Sequence, residues 1–142
     1  MKQGLFGAVL ASLVAVSVSM VGAQTAKPGA ALGSVTIAKN VMADGKALAA
    51  GTYTLRVSAD MPTAVVGQSA DEARWVEFVQ GTTVKGREMA TVLSKDSATD
   101  MAKGSAVAPG TAKVEMLKGA EYIRVWVNHS GKQYLIHLTI AK

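Results

Sequence analysis

The strongest constraint on the fold comes from two alternating segments near the C-terminus, residues 121–128 and 132–140. In both segments apolar side chains occupy every second position, which is the period of a β-strand. A two-residue turn centred on Ser130-Gly131 places apolar residues opposite one another, whereas a slip of one residue moves them to the wrong face. The sequence therefore predicts an antiparallel hairpin in this register. Its apolar pairs are Val127 with Tyr134, Val125 with Ile136, and Ile123 with Leu138.

The other face of this hairpin is the candidate contact surface for a partner. On it the register pairs Trp126 with Leu135, Arg124 with His137, and Tyr122 with Thr139. Tyrosine, tryptophan and arginine are enriched at binding hot spots. The candidate site residues are therefore Tyr122, Arg124, Trp126, Leu135 and His137. The alternative, and the simpler interpretation, is that this face is a second buried side of the sheet or is covered by the long segment 94–112.

The same two-residue period recurs from Ser34 onward and indicates further strands. The predicted strands are residues 34–39, 52–58, 75–79, 87–93 and 113–118. Residues 43–46 predict a turn, and the capping-box pattern from Ser69 to Glu72 predicts a helical turn before the third strand. Strands do not alternate with helices. The pattern therefore predicts an all-β protein, an antiparallel β-sandwich of about six to eight short strands, with a small barrel as the alternative.

The first 23 residues have the three parts of a secretory signal peptide. Lys2 supplies a positive start, residues 5–20 are predominantly apolar, and small residues end the segment at Ala23. We expect a signal helix that is cleaved between Ala23 and Gln24, followed by a flexible leader over residues 24–33 and a single β-sandwich domain over residues 34–142. The alternative is an uncleaved membrane anchor, because the apolar run reaches about 18 residues.

The composition limits how such a domain can be held together and what it can do. The chain contains no cysteine and carries a net charge of +5. Disulfides, thiol catalysis and thiolate metal sites are therefore excluded, and the domain must be stabilised by packing. The basic residues are scattered and are not interleaved with aromatic ones, so we expect no nucleic-acid partner. Weak attraction to anionic envelope polymers is compatible with the charge.

One segment resembles a known class of exported domains. Residues 46–55, with the sequence KALAAGTYTL, are similar to the strand entry of bacterial transthyretin-like or carboxypeptidase-regulatory-like β-sandwich modules. The resemblance extends over residues 35–93. It implies a turn with a free backbone at Gly51 and a core position for Tyr53. Families with this strand are mostly binding, spacer or uncharacterised modules, and the resemblance implies no catalytic residue.

The remaining motifs give no catalytic assignment. The sequence lacks a Gly-x-Ser-x-Gly elbow, a glycine-rich phosphate loop and an EF-hand loop. His129 and His137 are separated along the predicted hairpin, so we expect neither a metal site nor a cofactor.

The sequence thus predicts an exported protein of the cell envelope, periplasmic or extracellular. We expect it to act as a non-catalytic binding or structural module for an envelope protein or polymer, without stable membrane insertion after cleavage. Two alternatives stay open. A small-ligand-binding protein would have an apolar pocket at Trp75 or Trp126, and a hydrolytic enzyme with an unrecognised site would bring a histidine and a carboxylate together in a cleft.

Overall fold

A computed structural model of the chain describes residues 29–63, 66–67, 69–94, 96–98, 107–108, 110–117, 119 and 121–142. The predicted signal peptide with its Ala23/Gln24 cleavage site, and leader residues 24–28, lie outside these residues. Within the described residues there are nine β-strands, and every pairing between them is antiparallel. The predicted all-β, antiparallel class is therefore confirmed. No helix in this part of the chain is long and apolar enough to cross a membrane.

The strands follow one another in a single sheet. They are β1 (Ala31–Ile37), β2 (Val41–Ala43), β3 (Lys46–Leu48), β4 (Gly51–Val57), β5 (Ala73–Gln80), β6 (Thr83–Leu93), β7 (Ala112–Met116), β8 (Tyr122–His129) and β9 (Lys132–Ile140). Neighbouring strands pair in the order β1-β4-β5-β6-β9-β8-β7, and the β2–β3 hairpin joins the C-terminal end of β9. The sheet is nearly closed and barrel-like. The predicted separation into two sandwich sheets is not confirmed.

The C-terminal hairpin has the predicted register at every pair. Val127 lies opposite Tyr134 and Trp126 opposite Leu135, and the turn residues are Ser130 and Gly131. Both turn residues have positive φ angles, +52° and +78°. This is the conformation of a type I′ turn, whose twist matches that of the two strands.

Alternation also sets which side of the other strands faces the core. Tyr53, Leu55 and Val57 of β4 are buried, as the period of residues 52–58 predicts. The Tyr53 ring meets Phe78 edge to face, with 5.9 Å between ring centroids, and its hydroxyl donates to the Ala49 carbonyl. These residues belong to one continuous core that draws on β1, β2, β3, β4, β5, β6, β8 and β9.

The structure corrects several of the sequence-based strand assignments. β1 begins at Ala31, so the last residues of the predicted leader are part of a strand, and Leu32 is buried in the core. The strands β2 and β3 were not predicted, although the turn between them was; it is formed by Asp44 and Gly45. β6 begins at Thr83, before the predicted strand at residues 87–93, because its N-terminal half pairs with β5.

The two ends of the sheet approach each other without pairing. Among the described residues, β1 pairs with β4 alone and β7 with β8 alone. The sheet path has seven strands and only antiparallel steps, so its end strands run in the same direction. At this junction Gly33 of β1 lies close to the core-facing side chain of Val127: a Cβ added to Gly33 would be 3.6 Å from Val127 Cγ1. β1 therefore completes the fold through side-chain packing.

Candidate functional site

The candidate face of the hairpin is divided into a covered part and an accessible part. Trp126 is 1% exposed and Leu135 is 2% exposed. Both pack against Ala98 and Val107, which belong to the long 94–112 segment, and against Leu93 at the end of β6. The described residues of this segment thus cover two of the five candidate residues, which removes Trp126 and Leu135 from direct contact with a partner.

The end of this covering segment is fixed to the hairpin by polar contacts. The side-chain amide of Asn128 donates to the Val107 carbonyl at 2.7 Å, and Gln133 Nε2 approaches the same oxygen at 3.5 Å. The backbone of Asn128 also exchanges hydrogen bonds with Gly110 and Thr111. Since both amide side chains are buried, these bonds are made where water does not compete for the donors.

A charged network lies beside the covered tryptophan. The register of β7 on β8 places Glu115 opposite Arg124 and Lys113 opposite Trp126. Glu115 Oε2 accepts from Arg124 Nε at 3.0 Å, from Arg124 Nη2 at 2.7 Å and from Trp126 Nε1 at 3.0 Å. Lys113 Nζ lies 2.8 Å from Glu115 Oε1. The Arg124 guanidinium also lies over the Trp126 ring, 5.1 Å from its centroid, so it is oriented on two sides.

The same contacts change the acidity of Glu115. Its pKa is lowered from 4.5 to about 2, first by the bond to Lys113 and then by the bonds to Arg124 and Trp126, with burial opposing them. The carboxylate therefore stays ionised at any physiological pH, and Arg124 keeps its partner.

The accessible part of the face consists of three candidate residues on neighbouring positions. Tyr122 is 45% exposed, and Arg124 and His137 form a cross-strand pair beside it. The pKa of His137 is lowered from 6.5, chiefly because the ring is partly desolvated and secondly because Arg124 is positively charged. A small cleft of about 240 Å³ adjoins Tyr122, and its other lining residues are Glu121, Thr139, Ile140 and Lys142.

The ring of the second tryptophan, Trp75, is in contact with another side chain of the protein. The Arg87 guanidinium stacks over its ring at 4.4 Å from the centroid. Arg87 also forms ion pairs with Asp60 at 2.9 Å and with Asp44 at 3.5 Å. One face of this indole is thus covered by a cation that is fixed by two carboxylates.

A larger cleft, of about 490 Å³, lies where the turn before β5 meets the end of β6. Seven of its nine lining residues are polar or charged, and neither tryptophan is among them: Ser69, Asp71, Glu72, Thr91, Val92, Leu93, Ser94, Ser97 and Lys132. The predicted capping box contributes to this rim, since Glu72 Oε2 accepts from the Ser69 backbone N–H at 3.2 Å. Within the described residues, no group of three or more histidine and carboxylate side chains could bind a metal ion.

Sequence reasoning missed Lys113 and Glu115 as members of the site. Their alternation with Val114 placed them on one face, but nothing in that pattern fixed the register of β7 against β8. The available signal was Gly119, whose φ of +95° lies in the short connection between these strands. A glycine in so short a connection is typical of a hairpin.

Comparison with known proteins identifies no relative of the chain. Neither the models of known protein families, nor the curated proteins, nor the solved structures give a match to the chain.

Proposed function

We propose that this chain is an exported, non-catalytic binding module of the cell envelope that contacts an envelope protein or polymer through Tyr122, Arg124 and His137. The observation that carries the proposal is the double fixation of Arg124 by the Glu115 carboxylate and the Trp126 ring. An arginine oriented in this way loses little side-chain entropy when it binds a partner. Tyr122 is exposed next to it, and both residue types are frequent hot spots.

The placement of Tyr122 and Arg124 on one strand also supports binding to a partner. Arg124 and Tyr122 both project from β8, so their separation is set by a strand that is paired on both sides. Contact residues on rigid elements keep their geometry better than contact residues on loops. Burial of Trp126 beneath Ala98 and Val107 gives this platform its support.

We also propose that the chain is exported and that its N-terminal segment is removed. The N-terminal segment favours cleavage between Ala23 and Gln24 and release into the periplasm or beyond. The finer architecture that we propose is a two-layer, sandwich-like arrangement in which β1 closes against the far end of the sheet, and the short distance from Gly33 to Val127 supports that closure.

A pull-down from envelope extract tests the binding function. The exported wild-type chain should retain a component that Tyr122→Ala retains about tenfold less, which corresponds to a loss of about 1.4 kcal/mol of binding free energy. Met89→Ala is the matched control because Met89 is also a large exposed side chain, on β6. Equal recovery by all three chains would contradict the binding face.

N-terminal sequencing of the same material should begin at Gln24, and a start at Met1 would contradict cleavage.

A further inference from the structure

The polar cleft at the end of β6 has the size of a ligand-binding site. Its volume of about 490 Å³ lies within the range of about 300–1,000 Å³ that small-molecule sites occupy. Most such sites are lined by apolar side chains, whereas seven of the nine lining residues of this cleft are polar or charged. This composition favours a charged ligand over an apolar one. The cleft shares no lining residue with the proposed binding face of Tyr122, Arg124 and His137.

The strand register shows how the cleft is built. Its floor is the last part of β6, where Thr91 pairs with Ala73 of β5 on one side and with Leu135 of β9 on the other. The 3₁₀ turn at Ala70–Glu72 comes directly before β5, and Lys132 is the first residue of β9. The 3₁₀ turn and Lys132 therefore form opposite walls, with β6 between them.

The two walls carry opposite charges. The carboxylates of Asp71 and Glu72 belong to one wall, and the ammonium group of Lys132 belongs to the other. Asp71 lies 3.3 Å from the guanidinium of Arg74, whereas Glu72 accepts a hydrogen bond from the uncharged backbone N–H of Ser69. Lys132 forms no ion pair with any residue that the structure describes. A ligand with a positive and a negative end would therefore compensate Glu72 and Lys132 together.

The distance between the walls sets the length of such a ligand. Because β5 and β9 flank β6, their backbones are two strand spacings apart, which is about 10 Å. An extended peptide advances about 3.4 Å per residue, so about three residues separate its terminal ammonium from its terminal carboxylate by a similar distance. The charged groups of a single amino acid are too close together to reach both walls.

Hydroxyl groups between the walls can bind the backbone of a peptide. Ser94 Oγ donates to Ser97 Oγ at 3.0 Å, which leaves the Ser97 hydroxyl hydrogen available for another acceptor. The exposed Thr91 lies on the floor, and its hydroxyl has no hydrogen-bond partner among the residues that the structure describes. The carbonyl and N–H groups of a bound peptide need such partners when they leave water.

We propose that this cleft binds a short peptide of about three residues with free termini. The terminal ammonium lies at Glu72 and Asp71, and the terminal carboxylate lies at Lys132. Charge-assisted hydrogen bonds at both ends give the cleft its preference for unblocked peptides. This site is separate from the surface around Tyr122, and neither proposal depends on the other.

An NMR titration of the isotope-labelled exported chain with trialanine tests the proposal. We expect saturable shifts of the backbone amides of Thr91, Ser94 and Lys132. Lys132→Gln should weaken the binding of trialanine by about tenfold, because it removes one charge-assisted hydrogen bond. Lys46→Gln is the matched control, since Lys46 is an exposed lysine on β3 that does not line the cleft, and its affinity should equal that of the wild type.

Blocked peptides test which wall binds which terminus. Trialanine amide should bind the wild type about tenfold more weakly than trialanine and should lose nothing further in Lys132→Gln. N-acetyl-trialanine should behave in the same way towards Glu72→Gln. Tyr122→Ala should bind trialanine as the wild type does, so failure of the partner-binding proposal would not alter this result. Absence of saturation, or equal affinity of the wild type and Lys132→Gln for trialanine, would overturn the peptide site.

Discussion

The indole Nε1 of Trp126 donates a hydrogen bond to Glu115 Oε2 at 3.0 Å, which joins the covered side of the hairpin to its charged side. The same oxygen is the acceptor for Arg124. Because of this shared acceptor, the burial of the tryptophan and the orientation of the arginine depend on one carboxylate. A binding surface that uses Arg124 thus depends on Glu115 and Trp126, which orient the arginine without contacting the partner themselves.

Neutralising Glu115 should destabilise the fold at neutral pH. We expect Glu115→Gln to lower the free energy of unfolding by about 1–2 kcal/mol, because the bonds from Arg124 and Lys113 lose their charge assistance. Urea unfolding at pH 7 measures the change. The exposed Glu121, which precedes β8, provides the control, and Glu121→Gln should change stability by less than about 0.5 kcal/mol. Equal effects of the two substitutions would contradict the network.

The same carboxylate predicts a dependence of stability on pH. The folded-state pKa of Glu115 is lowered to about 2 from 4.5, so its contribution to stability is present above pH 4.5 and is lost as the pH falls towards 2. Wild type and Glu115→Gln should therefore become more similar in stability between pH 4.5 and pH 2. Urea unfolding at steps of pH tests this, and a constant difference across the interval would contradict it.

Trp126 and Glu115 should be energetically coupled. Trp126→Phe removes the indole donor while keeping most of the buried ring, and Glu115→Gln removes the charged acceptor. In a double-mutant cycle we expect a coupling free energy of about 0.5–1.5 kcal/mol, because the two substitutions eliminate one shared bond. Additive effects in urea unfolding would show that the bond does not form in solution. Phe78→Leu, in the separate main core, serves as the uncoupled partner for comparison.

His137 should titrate below its ordinary pKa of 6.5, since desolvation and then Arg124 disfavour the charged ring. At pH values between the lowered pKa of the folded state and the ordinary value of 6.5, the unfolded chain binds more protons than the folded chain. The free energy of unfolding therefore falls as the pH drops below 6.5. Removing the nearby charge by Arg124→Gln should raise the pKa of His137 only in part, because desolvation is the larger cause. Proton–carbon NMR of the imidazole ring measures both values. An unchanged pKa in the Arg124 variant would contradict the cross-strand contact.

The hairpin turn offers a stabilising substitution. Ser130 has a φ of +52°, a region that asparagine adopts with less strain than serine, and Asn-Gly is the preferred type I′ pair. Ser130→Asn should raise stability by about 0.5 kcal/mol and the Tm by about 2–3 °C. Asp44→Asn, in the equivalent Asp44-Gly45 turn, should give no such gain, because aspartate already suits this position and the substitution removes the ion pair with Arg87. A fall in Tm for Ser130→Asn would argue against the turn type.

The sequence predicted the structure correctly where the side-chain types permit only one strand register. In the C-terminal hairpin only one register opposes Val125 to Ile136 and keeps both apolar sets on one face, and that register is found. The strands β2 and β3 could not be recognised, because three residues are too few to show a period. The expected reason for the glycine at position 51 was also not found. Its backbone has no positive φ, and the nearest atom to a Cβ there, Gln80 Nε2 at 3.0 Å, is the end of an exposed side chain that can move away.

The composition of the candidate face could be predicted, but its accessibility could not. Alternation placed Tyr122 and Trp126 on the same side of β8, where both appeared equally available. What separates them is Val107, a residue remote in sequence that covers Trp126 and leaves Tyr122 exposed. Such coverage depends on tertiary packing across a long segment of low sequence complexity, and no local pattern encodes it.

Site-specific photocross-linking in the living cell tests the binding account most directly. Tyr122→p-benzoylphenylalanine places a photoreactive ring at the proposed contact, and Met89→p-benzoylphenylalanine places it on a comparably exposed position of β6. Irradiation should give a discrete adduct with an envelope component from position 122 alone, and Arg124→Gln in the same chain should weaken it. No adduct from position 122, or the same adduct from both positions, would contradict the proposed binding face.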